Sequence, residues 1–256
     1  MVCGLAIGLV GCLLAAERSG LTARKVVCYL SIGEAEDYRP YWQKDWDKNA
    51  DGKPDKSAPS FLNAVNPDWE GNYKVRYWHS AWQRIILKIV DEIMAQGFDG
   101  VYLDVVDAFE FYEYNAETDE WQDNRKNPET GNTYRRDMVT WVKRIAAHGR
   151  ASAPGFIVIA QNGAQLLSEP GYTEAINAIA IEDLFADGNK KQKAEHVRYI
   201  SGFLERAKRK VLPIFVIEYG THKKIREYST ARAKSNGFVL LLADRDLTTL
   251  GTVPGH

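Results

Sequence analysis

Residues 97–107 read GFDGVYLDVVD, and the fold turns on this run. Val101, Tyr102 and Leu103 form a short apolar stretch that stops at an acid, Asp104, and a second acid, Asp107, follows about one turn later. The pattern recurs. Residues 26–30 lead into Ser31, Ile32, Gly33 and Glu34; residues 178–181 lead into Glu182 and Asp183; residues 214–217 lead into Glu218 and Tyr219. Buried strands that repeatedly close on a carboxylate imply one rim where acids converge. The C-terminal strand ends of a parallel barrel form such a rim. A pair of carboxylates flanking a sugar linkage is the requirement of glycoside hydrolysis.

Outward from that stretch, strands alternate with helices. Residues 26–31 are rich in β-branched side chains and read as a strand. Trp82, Ile85, Ile86, Ile89, Val90 and Ile93 have helical spacing over 80–96, with Ser80 as N-cap and Gly97 closing the helix. Tyr134, Met138, Trp141, Val142 and Ile145 mark a second helix that ends near Gly149. Strands follow at 156–160 and 178–181, a helix at 190–210, a strand at 211–217, a helix at 221–235 and a last strand at 238–243. Such alternation gives a parallel α/β fold, and the count is six strand–helix steps. The alternative is an open doubly wound sheet, but the first strand lacks the glycine-rich phosphate loop that such sheets carry. Two stretches fall outside the pattern. Residues 34–78 are polar and aromatic and too long for a plain connection, and residues 110–132 read as a polar loop or lid.

The 256 residues suit one α/β barrel domain. The domain reading is an apolar segment over 1–22 followed by a barrel over 23–256. A formal net charge of −1 gives no electrostatic footprint for nucleic acid. Cys3, Cys12 and Cys28 form no CxxC pair and no Cys/His cluster, which argues against zinc. The five histidines are scattered, and none lies beside a Ser or Cys nucleophile, so a hydrolytic triad is not indicated. Residues 2–16 are apolar, about the length of a signal-peptide core and too short to span a bilayer. Leu9, Val10, Gly11 and Cys12 match a bacterial lipoprotein cleavage box, but no Lys or Arg precedes the stretch; the readings are export, with a lipid anchor on Cys12 as one form of it, and a chain start that is merely apolar.

Residues 28–39 (CYLSIGEAEDYR), 66–78 (NPDWEGNYKVRYW), 97–107, 161–163 (QNG) and 181–185 (IEDLF) together resemble glycoside hydrolase family 114. Members act on or resemble endo-α-1,4-polygalactosaminidases, and one branch carries a cysteinyl-tRNA synthetase-related label that no nucleotide-binding signature or zinc ligand here supports. The resemblance spans residues 26–219. It implies a (β/α)8 barrel that hydrolyses a polymer of α-1,4-linked galactosamine or a related glycan, with no cofactor in catalysis. Since the family pattern has two strands before the CYLSIGE strand, this chain is expected to lack the first one or two βα units.

The resemblance also implies that Asp104 and Glu182 are the catalytic pair, Asp104 as nucleophile and Glu182 as general acid/base. Apolar neighbours Ile181, Leu184 and Phe185 would raise the pKa of an acid at Glu182. From spacing alone, helix capping or pairing with Arg is the alternative for both. Candidate substrate contacts are Tyr29, Glu34, Asp107, Gln161, Asn162, Asp183, Glu218 and Tyr219 at strand ends, with Trp69 and Trp78 as stacking rings; the alternatives are solvated or salt-bridged acids, and tryptophans that fill the base of the long loop. A patch of acids suits a cationic amino sugar. The same fold with the groove but without turnover would be a carbohydrate-binding or surface protein. Separately, residues 47–55 reproduce the first nine positions of an EF-hand loop, with Asp47, Asn49, Asp51 and Asp55 as oxygen donors and Gly52 at the sharp turn. Ala58 stands where the bidentate Glu belongs. The two readings are a structural Ca2+ and a plain polar turn.

Overall fold

The computed structural model describes residues 25–254, so the apolar segment 1–22, with Cys12 and its lipid-anchor reading, lies outside the described residues. Six strands make the central sheet: β1 Val27–Ser31, β2 Gly100–Asp104, β3 Ile157–Gln161, β4 Ala178–Glu182, β5 Ile214–Glu218 and β6 Val239–Leu242. They lie side by side in sequence order, and every neighbouring pair is parallel. A doubly wound sheet reverses its order once; this one always steps the same way, which is the winding of a (β/α)8-type barrel. The long helices are α1 Ser80–Ala95, α2 Tyr134–Ser152, α3 Ala194–Arg209 and α4 Lys223–Asn236.

The pleat sorts each strand's side chains onto two faces. On β2, Val101 and Leu103 join the helices in one core with Trp82, Ile86 and Trp141, all fully buried. Tyr102 turns the other way, onto an inner layer with Val27, Ile159, Ala180, Ile217 and Leu241. Truncating a buried Trp such as Trp82 or Trp141 to Ala costs about 3–5 kcal/mol. Asp104 shares the inner parity of Tyr102 and ends its strand, so it stands at the mouth.

The structure moves several boundaries for local reasons. Helix α1 is capped by His79, one residue before Ser80: the His79 Nδ1 accepts the Ala81 N–H at 3.2 Å, while its Nε2 lies 3.0 Å from the Ser60 hydroxyl. Strand β5 begins at Ile214, after Pro213, and Val211 is an exposed left-handed residue at φ 56°. Helix α3 begins at Ala194 because Lys190–Lys191 pairs with Ala186–Asp187 in a hairpin.

The two stretches outside the alternation are folded. Glu34–Glu36, Leu62–Asn66 and Trp69–Val75 form an antiparallel sheet with the longest strand in the middle. Its buried Ala35, Leu62, Tyr73 and Val75, with Trp46 and Phe61 from the loop, join the same core as the barrel. After β2, Phe109–Glu113 is a single helical turn, and Tyr114–Asn115 pairs with Glu120–Trp121 in a second hairpin. Both insertions rise from the strand ends that carry the acids.

Candidate active site

Three consecutive strand ends, two of them closing on an acid, break in the same way. Val105, Asn162 and Asp183, just past β2, β3 and β4, are left-handed at φ 56°, 60° and 50°. For a β-branched residue such as Val105 this conformation is costly, and such strain concentrates at functional sites. Neighbours hold it in place. The Ile32 N–H donates to the Asp104 carbonyl at 3.1 Å, and Gly33 packs so close that a Cβ there would lie 2.2 Å from the Val105 carbonyl oxygen. The turn in exchange presents the Val105 N–H to Asp104 Oδ1 at 2.8 Å.

Asp104 and Glu182 face the same cleft of 1290 Å³. One strand, β3, lies between theirs, which puts the two backbones about 9–10 Å apart. Each carboxylate is held by a tyrosine. The Tyr29 hydroxyl donates to Asp104 Oδ2 at 2.7 Å, and the Tyr219 hydroxyl donates to Glu182 Oε1. Asn162 Nδ2 reaches Glu182 Oε2 at 3.4 Å, while its Oδ1 accepts the Glu182 N–H at 3.2 Å. Burial pushes the Asp104 carboxyl up to about 6, with the charge of Glu182 adding to the rise; the Tyr29 and Val105 donors oppose it. Burial and the adjacent carboxylates push the Tyr29 and Tyr219 phenols well up, so both stay protonated as donors.

Beneath the acids, the Tyr102 hydroxyl donates to Gln161 Oε1. The buried Gln161 Nε2 has no hydrogen-bond partner among the described residues. Asp107 also lines the cleft, and burial, with Glu110 and Asp104 nearby, pushes it up to about 8. Glu34 lines the cleft but is committed to the insertion. It accepts Asn66 at 2.9 Å, Asn72 at 3.2 Å and the Lys74 ammonium at 2.6 Å. Trp69 stands exposed on the cleft lip.

Four expectations are corrected. Glu218 does not reach the cleft: it is buried on the helix side of β5 and accepts the Phe185 and Ala186 N–H groups at 2.7 and 3.0 Å. Trp78 is packed against Tyr77, Tyr112 and Tyr134, with its indole N–H on Glu129 at 2.9 Å. Asp183 turns aside to pair with Arg245 at 2.8 Å, and that guanidinium lies 4.1 Å from the centre of the Tyr219 ring. Finally, Ile181, Leu184 and Phe185 pack outward among the helices, so they do not surround the Glu182 carboxyl.

The 47–55 loop is a hydrogen-bonded polar turn. Asp47 accepts the Asp51 and Gly52 N–H groups at 3.2 and 2.9 Å and the Tyr73 hydroxyl at 2.6 Å. Asp55 accepts the Lys48 N–H at 2.8 Å, and Asn49 donates to Asp51 at 3.1 Å. Among the described residues no three His, Cys, Asp or Glu side chains gather as a metal would require, and the donor set expected for Ca2+ does not fit.

Sequence reading missed Tyr102, Lys74, Glu110 and Arg245, all of which line the cleft. Tyr102 was accessible, because it lies two residues before Asp104 and shares its face. Lys74 stands on an insertion strand, Glu110 on the short helical turn after β2 and Arg245 on a loop, and no local pattern reveals their course.

A parallel barrel with two tyrosine-held carboxylates at the C-terminal mouth defines a glycosidase-type protein. The chain belongs to glycoside-hydrolase family GH114, whose model matches residues 16–256. It is 36% identical to a Deinococcus radiodurans protein over 91% of this chain and 68% of that one. It is 33% identical to a Methanocaldococcus jannaschii protein over 88% of this chain and 63% of that one. The chain thus spans about two thirds of the length of these relatives. Among solved structures, the glycoside hydrolase domain of PelA from Pseudomonas aeruginosa aligns with TM-score 0.63 at 21% identity, covering 90% of this chain and 81% of that one. Ega3 of Aspergillus fumigatus, solved in complex with galactosamine, aligns with TM-score 0.64 at 18% identity, covering 96% and 82%. At these identities the two structures speak for the fold.

Proposed function

We propose that this glycosidase cleaves polymers of α-1,4-linked galactosamine, with Asp104 as nucleophile and Glu182 as general acid/base. The observation that carries this reading is the pair of tyrosine-held carboxylates on one inner face of one cleft. Asp104 accepts two short hydrogen bonds from fixed donors, which suits an anion that attacks the anomeric carbon. Glu182 Oε2 has only the long Asn162 contact, which leaves room for the proton that the leaving oxygen needs. In the first step the Asp104 oxygen bonds to the anomeric carbon, the glycosidic bond breaks, and the Glu182 proton passes to the leaving oxygen. In the second, Glu182 takes a proton from water, the water oxygen displaces Asp104, and both carboxyls return to their starting states. The choice of an amino sugar rests on Asp68 and Glu70, exposed acids that line the cleft on either side of Trp69, and on the galactosamine bound in the structurally similar Ega3.

The test is release of reducing ends from α-1,4-galactosamine polymer by the wild type, and its loss in Asp104→Asn and Glu182→Gln. A wild type that binds the polymer without releasing ends would make this a carbohydrate-binding protein on the same barrel. No helix among the described residues is long and apolar enough to cross a membrane. A polymeric substrate and the apolar 2–16 segment support action outside the cytoplasm, with a lipid on Cys12 as anchor; cell fractionation and mass spectrometry of Cys12 test both.

A further inference from the structure

Five aromatic side chains are exposed among the described residues, and four of them line this one cleft: Tyr38 (66%), Trp69 (62%), Phe111 (47%) and Trp121 (65%). All four stand on the two insertions. Of the other aromatics of those insertions, Trp46, Phe61, Tyr73 and Tyr77 are buried in the core, and Tyr41, Trp42, Trp78 and Tyr112 pack against it. The exposed rings are therefore not overflow from a crowded interior.

Their mounts are rigid. The Trp121 hairpin is tied at its base by a buried ion pair, Arg135 to Glu113 at 2.8 Å. Glu113 also accepts the Asn124 N–H at 2.8 Å, and its carbonyl accepts the Gln122 N–H at 2.9 Å. The Trp69 turn is tied through Asn66 to Glu34 at 2.9 Å. Buried charge is costly unless well paired, yet here it fastens two short turns whose tips carry exposed tryptophans.

We propose that Trp69 and Trp121, with Tyr38 and Phe111 beside them, are stacking platforms for sugar units of the polysaccharide beyond those at the scissile bond. A pyranose ring has an apolar face of C–H groups, and a flat indole covers it with little loss of side-chain entropy. The occupant is a polysaccharide chain because the rings are continuous with the cleft that holds Asp104 and Glu182, and because Asp68 and Glu70, acids without an ion-pair partner among the described residues, flank Trp69 and suit a cationic sugar. This inference rests on the reading of the cleft as a polysaccharide-cleaving site, and it adds that the insertions set how chain length is felt.

The test compares Trp69→Ala, Trp121→Ala and the double variant with wild type on α-1,4-galactosamine oligomers of increasing length and on the polymer. Both side chains are exposed, so melting temperatures should match wild type. The expected result is a penalty in kcat/KM that grows with chain length, about tenfold greater on the polymer than on the shortest cleaved oligomer for each ring, and carried by KM. An equal penalty at every length, or none, overturns the proposal. Affinity electrophoresis of the Glu182→Gln protein through gels containing galactosamine polymer or a neutral α-glucan separates this from the substrate reading. If only the glucan retards the protein and the tryptophan variants lose that retardation, the substrate reading falls and the platforms stand. If the variants are retarded like their parent, or no polysaccharide retards it, the platforms fall.

Discussion

Replacing Tyr29 by Phe removes one hydroxyl and tests the electrostatics of the site directly. That hydroxyl donates to Asp104 Oδ2 at 2.7 Å and keeps its proton through the working pH range. A hydrogen bond to a charged group is worth about 1.5–3 kcal/mol, and about 1.36 kcal/mol corresponds to one pKa unit. Asp104, held at about 6 in the free enzyme, should therefore rise by roughly one to two units in the variant. A nucleophile must be ionised, so activity is lost as pH falls through this pKa. The assay is kcat/KM against pH on a soluble galactosamine oligomer, since kcat/KM reports the free enzyme. Titration of the substrate amine enters both profiles and cancels in their comparison. The wild-type acid limb should fall near pH 6, and the Tyr29→Phe limb should lie about one to two pH units higher. An unmoved limb would show that Tyr29 does not hold the Asp104 charge. A rate depressed equally at every pH would refute the electrostatic role and leave Tyr29 a purely positional one.

Three further outcomes follow from the same contacts. Gly33→Ala places a Cβ 2.2 Å from the Val105 carbonyl, so it should cost about 1–3 kcal/mol in urea unfolding and lower kcat through a displaced Asp104; unchanged kcat would mean the turn tolerates movement. Glu218 is raised to about 7 in the folded protein. The stability it contributes is therefore complete below its unfolded pKa near 4.5 and is lost as pH rises through about 7, up to about 3 kcal/mol. Glu218→Gln should flatten that part of the stability–pH curve while costing about 1–3 kcal/mol for the amide left without an acceptor; an unaltered slope would clear Glu218. Arg135→Ala strands Glu113 without its buried partner and should lower stability by about 3–5 kcal/mol. Arg135→Met with Glu113→Leu should recover much of that loss, and the absence of recovery would show that the remaining contacts, Asp123 on Arg135 and the Asn124 N–H on Glu113, carry it instead.

The course of the barrel was legible because it is written in local signals. Apolar runs ending at Asp104, Glu182 and Glu218 mark strands, and Trp82, Ile86, Val90 and Ile93 repeat at helical spacing. These are short-range consequences of pleat and pitch. The same signals could not tell Glu182 from Glu218. Each ends a strand, but Glu182 takes the inner parity and Glu218 the outer, and parity is fixed only when neighbouring strands pair in register. Residues 34–78 hid a sheet because its strands carry Glu34, Asn72 and Lys74, polar side chains that satisfy one another across the sheet and break the apolar alternation.

By itself the sequence determined the strand–helix alternation, the two acids and the aromatic wealth of the insertions, since each is a property of neighbours along the chain. Only the tertiary structure decided which acids meet, that Tyr29 and Tyr219 hold them, that Trp78 is packed while Trp69 and Trp121 stand open at the cleft, and that Asp47 caps a turn. Those outcomes depend on which faces come together across strands far apart in sequence, where burial and partner geometry set the charge, reach and exposure of each side chain.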